Sequence, residues 1–337
     1  MMGANGFTSV TLHNCVNGAT LKPLLLDITP SYPAPAYYPA EQARHVPGSW
    51  ARQNRPTVEG NLGITLLHRI SEGRIGVVYL ARVEKALRDG IDITSSLPET
   101  LCVKFAKQHH CRSLAREAWF YEQLHQWHGI SVPSYYGFYT STASEQGLST
   151  DTFQPWINLR KPSKIDPAFI EDQEVAETYR SMDWLWDDAP YMFRIFSPSK
   201  YRNKARWFRW NFNEENPNIG LIIMENLGKP CTQIWRLNEP GDAFKADILA
   251  VLEDVAGDGL CHTDIAARNF LQYDGPETDE RRCPRHDIVH KWRLIDFDRS
   301  CMLDMTNIDS DGEYALDVDR NRVGHPLAFW GEQISEQ

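Results

Sequence analysis

Short runs of β-branched and apolar residues recur along the chain, each bounded by turn-forming or polar residues. Three of them follow one another closely: ITLLHRI (64–70), GVVYLARVE (76–84) and TLCVKFAK (100–107). This pattern is typical of strands joined by hairpins, so it predicts an antiparallel meander. Two later runs, VPSYYGFYT (132–140) and NIGLIIMENLG (218–228), predict further strands.

Two segments repeat apolar residues every three or four positions instead. They are CRSLAREAWFYEQLHQWHG (111–129) and GDAFKADILAVLEDVAGDG (241–259), and each predicts an amphipathic helix that ends near a glycine. In the second helix Asp242 is placed to cap the first turn. Strands and helices together predict an α+β fold.

Two stretches lack either periodicity. Residues 30–56 carry six prolines, so residues 1–57 are predicted to form a mostly extended, proline-rich arm ahead of the folded part. Residues 142–216 form an insert between two predicted strands, acidic in its first part and basic in its second. The insert is far longer than an ordinary connection.

Composition and charge narrow the functional classes. The 337 residues are 42% hydrophobic and carry a net charge of −10, so the chain can bury a core and no global positive field draws it to nucleic acid or an anionic membrane. The start of the chain does not resemble a signal peptide and no run is long enough to span a membrane, so a cytoplasmic, or alternatively nuclear, location is expected. The seven cysteines include no CxxC pair and are odd in number, which favours reduced thiols.

Two short motifs late in the chain are rich in polar side chains. CHTDIAARNFL (261–271) and RLIDFDRS (293–300) place Asp264, Asn269 and Asp296 at strand ends or tight loops. Such oxygen-bearing side chains suit a hard cation such as Mg²⁺ and a hydroxyl that must lose its proton. We expect Asn269 and Asp296 to share the cation, and Asp264 to orient or deprotonate an acceptor.

A second set of residues lies upstream. SEGRIGVV (71–78) places Gly73 and Gly76 between two strands, where backbone N–H groups either approach phosphate oxygens or only form a hairpin turn. Lys104 at the end of a predicted strand and Glu117 on the next helix are a natural ion pair, because a buried ammonium needs a carboxylate and can then hold phosphates.

The order of these elements, from about residue 58 to 300 without the insert, resembles the protein-kinase-like superfamily. SEGRIGVV is similar to its glycine-rich loop, with Ser71 replacing the first glycine and Val78 following the last. LCVK resembles the third-strand lysine motif, with Glu117 as the partner glutamate of Lys104. IIMENLG resembles the hinge, which implies a gatekeeper at Met224 and an adenine-facing backbone from Glu225 to Leu227.

The catalytic elements of that superfamily also have counterparts. HTDIAARN resembles the catalytic loop, which implies Asp264 as base and Asn269 as a magnesium ligand. IDFD resembles the magnesium-binding element, with Asp296 as the ligand. The resemblance therefore implies ATP and Mg²⁺ as cofactors.

Departures from the family pattern bear on the acceptor. Thr263 replaces the arginine that meets a phosphorylated activation loop, and Asp298 replaces a glycine, as in aminoglycoside- and choline-kinase-like relatives. The chain is thus similar to a divergent, fungal-type member with a short C-terminal lobe. The resemblance implies a bilobal fold: an antiparallel-sheet N-lobe with one helix at 58–227, including the insert, and a reduced, mainly helical C-lobe at 228–337.

The predicted function is Mg²⁺- and ATP-dependent transfer of the γ-phosphoryl group to a hydroxyl acceptor, which is a small molecule or a protein. The AARN run, similar to that of tyrosine kinases, favours a protein, whereas the departures favour a small molecule. A pseudokinase-like nucleotide-binding or scaffolding module is the alternative. A third hypothesis is a partial product of a longer kinase gene, unstable on its own.

Three further polar residues have structural interpretations. His262 is expected to be a buried loop anchor. Arg268 either contacts substrate or phosphate, or pairs with a neighbouring acid. Glu122, the other acid on the first predicted helix, is expected to face solvent.

Cys283, His286 and His290 have spacings that suit a metal. They lie in a predicted hairpin before Asp296 and lack a clear fourth ligand, so zinc is not favoured.

The basic, aromatic run from Lys200 to Trp210 resembles segments that bind single-stranded nucleic acid. The acidic half of the same insert neutralises it, so no nucleic-acid partner is expected. We expect the tryptophans to pack the insert against the small, sheet-containing lobe.

Overall fold

The computed structural model describes residues 7–15, 23–33, 36–37, 59–148, 196–197, 204–232 and 242–303. The strands are β1 (Ser9–His13), β2 (Leu24–Ile28), β3 (Ala36–Tyr37), β4 (Gly60–Glu72), β5 (Gly76–Arg88), β6 (Ile91–Asp92), β7 (Thr100–Ala106), β8 (Tyr135–Thr142), β9 (Phe196–Ser197), β10 (Asn218–Glu225), β11 (Leu260–Cys261), β12 (Phe270–Gln272), β13 (Trp292–Leu294) and β14 (Cys301–Leu303). The described residues include two long α-helices, α1 (Cys111–Gln123) and α2 (Asp242–Ala256), besides short 3₁₀ helices. The predicted α+β class is confirmed.

The main sheet closes on itself. Around the ring the order is β4, β1, β2, β8, β10, β7 and β5, and β5 pairs back with β4, while β6 extends from β5. All neighbours in the ring are antiparallel except β1 and β4, which are parallel. The predicted antiparallel sheet is therefore a barrel with one parallel pair. Closure removes the unpaired edges that an open sheet exposes.

Two strands of the barrel come from the segment predicted to be an extended arm. Val10 and Leu12 of β1 and Leu24 and Leu26 of β2 are buried inside the barrel. The prediction for residues 1–57 is wrong for these strands, because their alternating apolar residues supply the missing wall between β4 and β8. Most of the proline-rich stretch lies outside the described residues.

The alternation along β7 decides which side chains face the barrel interior. Leu101, Val103 and Phe105 are buried there, whereas Cys102 and Ala106 belong to a second apolar cluster outside the barrel. Successive side chains of a strand point to opposite faces. The side chain of residue 104 therefore leaves the barrel on the outer face.

Helix α1 covers that outer face. Leu114, Ala118 and Tyr121 of this predicted helix are completely buried in the outer cluster. The Tyr121 ring stacks on Tyr135 of β8 at 5.4 Å between centroids. The helix is thus fastened to the barrel by apolar packing along its length.

One tryptophan of the insert also packs on this face. Trp207 is completely buried, its ring lies 5.8 Å from that of Phe138, and its indole nitrogen donates to the Pro30 carbonyl at 2.9 Å. The expectation that the insert tryptophans pack against the sheet is confirmed for this residue. Residues 149–195 and 198–203 lie outside the described residues.

The described part after β10 combines helix α2, three short 3₁₀ helices and short strands. Across residues 242–303, α2 is joined by short strands, with β11 pairing with β14 and β12 with β13. Phe244 of α2 packs edge-on against Trp292 of β13 at 5.1 Å. The expectation of a reduced, mainly helical C-terminal lobe stays a prediction, because residues 233–241 and 304–337 lie outside the described residues. The boundary predicted at residue 227 stays a prediction.

None of the helices in the described ranges is long and apolar enough to cross a membrane.

Neighbouring leucines of β2 provide a test of barrel closure. Leu26 is buried inside the barrel, whereas Leu25 is 52% exposed. We expect Leu26→Ala to lower the free energy of unfolding by about 2–5 kcal/mol, and Leu25→Ala by about 0.5 kcal/mol or less. Urea unfolding followed by tryptophan fluorescence measures both. Equal effects would contradict the placement of β2 in the barrel wall.

Candidate functional site

The site is built around Lys104. This residue lies in β7 between Val78 of β5 and Ile222 of β10, and only 9% of it is exposed. Its ammonium donates to Glu117 Oε2 at 2.7 Å and to Asp296 Oδ1 at 2.8 Å. The predicted ion pair with Glu117 is therefore present, and Asp296 joins it from a distant part of the sequence.

A third carboxylate approaches the same lysine. Asp298 is buried, and its Oδ2 accepts from Arg74 Nη2 at 2.7 Å. Burial and then the neighbouring Asp296 raise the pKa of Asp298, whereas Lys104 holds the pKa of Asp296 below its ordinary value despite burial. Burial likewise raises the pKa of Glu117, with Lys104 acting against that rise.

The neighbouring acids also shift the pKa of Lys104. Burial favours the neutral amine, but Asp296 and Glu117 hold the pKa of Lys104 above its ordinary value. Lys104 is thus a cation surrounded by several carboxylates. Such a group of oxygen donors attracts a further cation.

The segment of Asp264 is held in an unusual conformation. Thr263 has a φ of 60° and Asp296 a φ of 70°, both in the left-handed region that non-glycine residues rarely adopt. His262 is fully buried, its Nε2 lies 2.9 Å from the Ile295 carbonyl, and its ring packs against Phe297. The predicted role of His262 as a loop anchor is confirmed.

Asn269 turns back across this loop. Its Nδ2 donates to the Asp264 carbonyl at 2.9 Å, and its own carbonyl accepts from the Ile295 amide at 2.9 Å. These bonds bring Asp264, Asn269 and the residue before Asp296 together. The side chain of Asp264 is 25% exposed, and Arg268 Nη2 lies 3.6 Å from its Oδ1. Of the two alternatives predicted for Arg268, the pairing with a neighbouring acid is therefore present.

The segment 71–78 forms the turn between β4 and β5. The Gly73 amide donates to the Gly76 carbonyl at 2.9 Å, and Ser71 pairs with Val78. A Cβ at Gly76 would lie 2.5 Å from the Phe105 carbonyl oxygen, whereas a Cβ at Gly73 would meet open space. Gly76 is thus required by the close approach of β7. The phosphate-binding role of both glycines stays a prediction.

The predicted hinge follows β10. Met224 is buried in the outer cluster, beside the strand that carries Lys104. The Glu225 carboxylate accepts from the Ser134 amide at 2.9 Å and from Arg281 at 2.6 Å, so this side chain has a structural role. Residues 225–228, including Leu227, line a cavity of about 400 Å³, but Lys104 and Asp296 do not line it. An adenine-facing role for this backbone stays a prediction.

Two contacts, one at the site and one elsewhere on α1, were not predicted. Arg74 and Asp298 form an ion pair between the β4–β5 turn and the segment after Asp296. Glu122 was expected to face solvent, but it is half-buried and accepts from Ser31 Oγ at 2.7 Å. The exposure predicted for Glu122 is wrong because the N-terminal segment after β2 covers this part of α1.

Comparisons with known proteins add little to this geometry. No protein-family model and no curated protein matches the chain. Among solved structures, a crystal structure of a kinase domain is similar, with 14% identity and a TM-score of 0.35, over 71% of this chain and 51% of that chain. The chain thus spans about half the length of that kinase-domain chain. A likeness at this level carries no weight for function.

The burial of Glu122 generates a pH-dependent prediction. Burial raises its pKa to about 7, so the protonated carboxyl stabilises the fold. This contribution is fully present below the ordinary value of 4.5 and is lost as the pH rises through about 7. We expect the free energy of unfolding of the parent to fall relative to Glu122→Gln across this window, as measured by urea unfolding at several pH values.

Ser31 supplies the control. Its hydrogen bond lowers the pKa of Glu122, so Ser31→Ala should move the window to higher pH. Parallel pH profiles of the parent and Glu122→Gln would show that Glu122 titrates as an exposed glutamate.

Proposed function

We propose that this chain is an ATP- and Mg²⁺-dependent phosphotransferase of the protein-kinase-like superfamily, acting on a hydroxyl acceptor. One observation carries the proposal: the Lys104 ammonium contacts both Glu117 on α1 and Asp296 beyond β13. In this proposal the barrel and α1 form one lobe and the part after residue 227 forms the other. The nucleotide lies between them.

The residues present fit a magnesium ion. Asp296 and Asn269 offer oxygen donors, and three acidic side chains lie around one lysine. Mg²⁺, when bound, neutralises charge on the phosphates of ATP. Asp296 and Asn269 would hold the ion, and Lys104, kept in place by Glu117, would hold phosphate oxygens.

Asp264 is the proposed base. Its partly exposed carboxylate lies on a loop fixed by His262 and Asn269, so it is both accessible and oriented. A carboxylate held in this way orients an acceptor hydroxyl and takes its proton. The Arg268 guanidinium lies 3.6 Å from this carboxylate.

The proposed acceptor is a small hydroxylated molecule. Thr263 stands where regulated protein kinases have an arginine, and its hydroxyl donates to the Arg299 carbonyl at 2.6 Å. Asp298 stands where they have a glycine, and it pairs with Arg74. Both departures fasten the site from within, so a phosphorylated loop is not needed to order it.

A second candidate is a pseudokinase-like nucleotide-binding or scaffolding module. The contacts of Lys104 with two carboxylates, together with the Arg74–Asp298 pair, favour it, because they satisfy the charged groups without a ligand. Turnover distinguishes the two candidates.

Two aspartate variants test the proposal. A ligand that binds only the folded state raises its stability, by about 2.7 kcal/mol at a ligand concentration of about 100 times Kd. We expect ATP with Mg²⁺, but not ATP alone, to raise the melting temperature, and Asp296→Asn to lose this effect. Asp264→Asn should keep it while ADP formation with an acceptor falls by about 10²–10⁴-fold.

The outcomes separate the hypotheses. A magnesium-dependent shift without ADP formation across a screen of hydroxylated small molecules and peptides would favour the scaffolding module. No shift in a folded parent chain would overturn the nucleotide site itself.

A further inference from the structure

Four metal-ligating side chains converge away from the Lys104 site. They are Asp254, Cys283, His286 and His290, and one donor atom from each lies within 4.8 Å of the others. Asp254 belongs to α2, and the other three lie on the loop between β12 and β13. The fourth donor, which the sequence did not reveal, is therefore supplied by a helix packed against that loop.

The spacing of the donors fits a tetrahedral ion. Cys283 Sγ lies 3.2 Å from Asp254 Oδ2 and 3.4 Å from His286 Nδ1, and His290 Nε2 lies 3.1 Å from Asp254 Oδ2. Zinc bonds of about 2.0–2.3 Å in tetrahedral geometry place neighbouring donors about 3.3–3.7 Å apart. Small side-chain shifts of a few tenths of an ångström would reach that spacing.

The outward nitrogens of both histidines are held by carboxylates. His290 Nδ1 lies 2.6 Å from Asp247 Oδ1, and His286 Nε2 lies 3.0 Å from Glu253 Oε2. A proton on each outward nitrogen leaves the inward nitrogen unprotonated and aimed at the cluster. Carboxylates that accept from a histidine in this way fix its tautomer and orientation at zinc sites.

Charge and burial point to a structural site. Asp254, Cys283 and His290 have completely buried side chains, and 19% of the His286 side chain is exposed. A thiolate, a carboxylate and two neutral imidazoles balance the charge of Zn²⁺. Four protein ligands leave no open position for a substrate, as in structural zinc centres.

We infer that Asp254, Cys283, His286 and His290 bind a structural Zn²⁺ ion that fastens the β12–β13 loop to α2. The loop leads directly into β13 and then to Asp296. The ion would therefore hold in place the strand that leads to Asp296, a residue of the proposed active site. The inference does not depend on the proposed function.

A metal-free hydrogen-bond network is the competing explanation. Asp254 accepts from Ser131 and lies near His290, Cys283 and, at 3.7 Å, Arg285. Arg285 is 40% exposed, so its guanidinium has room to turn into solvent when an ion binds. Direct measurement of the metal decides between the two.

The experiment measures the zinc content of the full chain, purified without chelators, by elemental mass spectrometry. We expect about one zinc ion per chain, a strong loss in Cys283→Ser, and no loss in Cys231→Ser, a cysteine that is equally buried elsewhere. Asp247→Asn removes only an outer carboxylate and should weaken zinc affinity by about 10–100-fold.

Two measurements keep the inference testable if Cys283→Ser does not fold. Cobalt added to the metal-stripped parent should give a sulfur-to-cobalt charge-transfer band and the strong visible bands of tetrahedral Co²⁺. A chelator should lower the melting temperature of the parent, but not that of His286→Gln, whose altered ligand is the most exposed of the four. A folded parent that carries no zinc and gives no cobalt bands would overturn the inference, whatever its behaviour toward ATP.

Discussion

The buried ammonium of Lys104 is the interaction on which the site depends. An ion in the protein interior is tolerated only when opposite charges compensate it, and here Glu117 and Asp296 do so. The two carboxylates belong to α1 and to the segment after β13, so one charge fixes both elements against the barrel. Arg116 of α1 strengthens this link, because its guanidinium donates to the Ser300 carbonyl at 2.7 Å.

The closed barrel determines the direction in which the Lys104 side chain points. Because the barrel interior is filled by one set of alternating side chains, the other set is committed to the outer face, where α1 lies. β1 and β2 complete the wall. The N-terminal segment continues from β2 over α1, where the Tyr32 amide donates to the Ala115 carbonyl at 2.9 Å. The same segment thus closes the barrel and covers the helix.

Polar contacts are prominent in the part after β10. Its strands are short, and the buried Asp254 links α2 to Ser131 and to the loop before β13. His262 makes a comparable link between the loop of Asp264 and the segment of Asp296. The metal ion inferred at Asp254 and the nucleotide proposed at Lys104 would each contact elements that are distant from one another in the sequence. Ligand binding and stability are therefore expected to be coupled in this region.

The sequence by itself determined the elements whose pattern is local. Alternating residues predicted β4, β5 and β7, helical spacing predicted α1 and α2, and the order of motifs paired Lys104 with Glu117. Only the tertiary structure decided how distant segments meet: barrel closure by β1 and β2, the Arg74–Asp298 pair, the burial of Glu122 and the position of Asp254 beside Cys283. Periodicity reports which face of an element is apolar, but it holds no information on the partner that covers this face. That partner is chosen by strand register and packing across the whole chain.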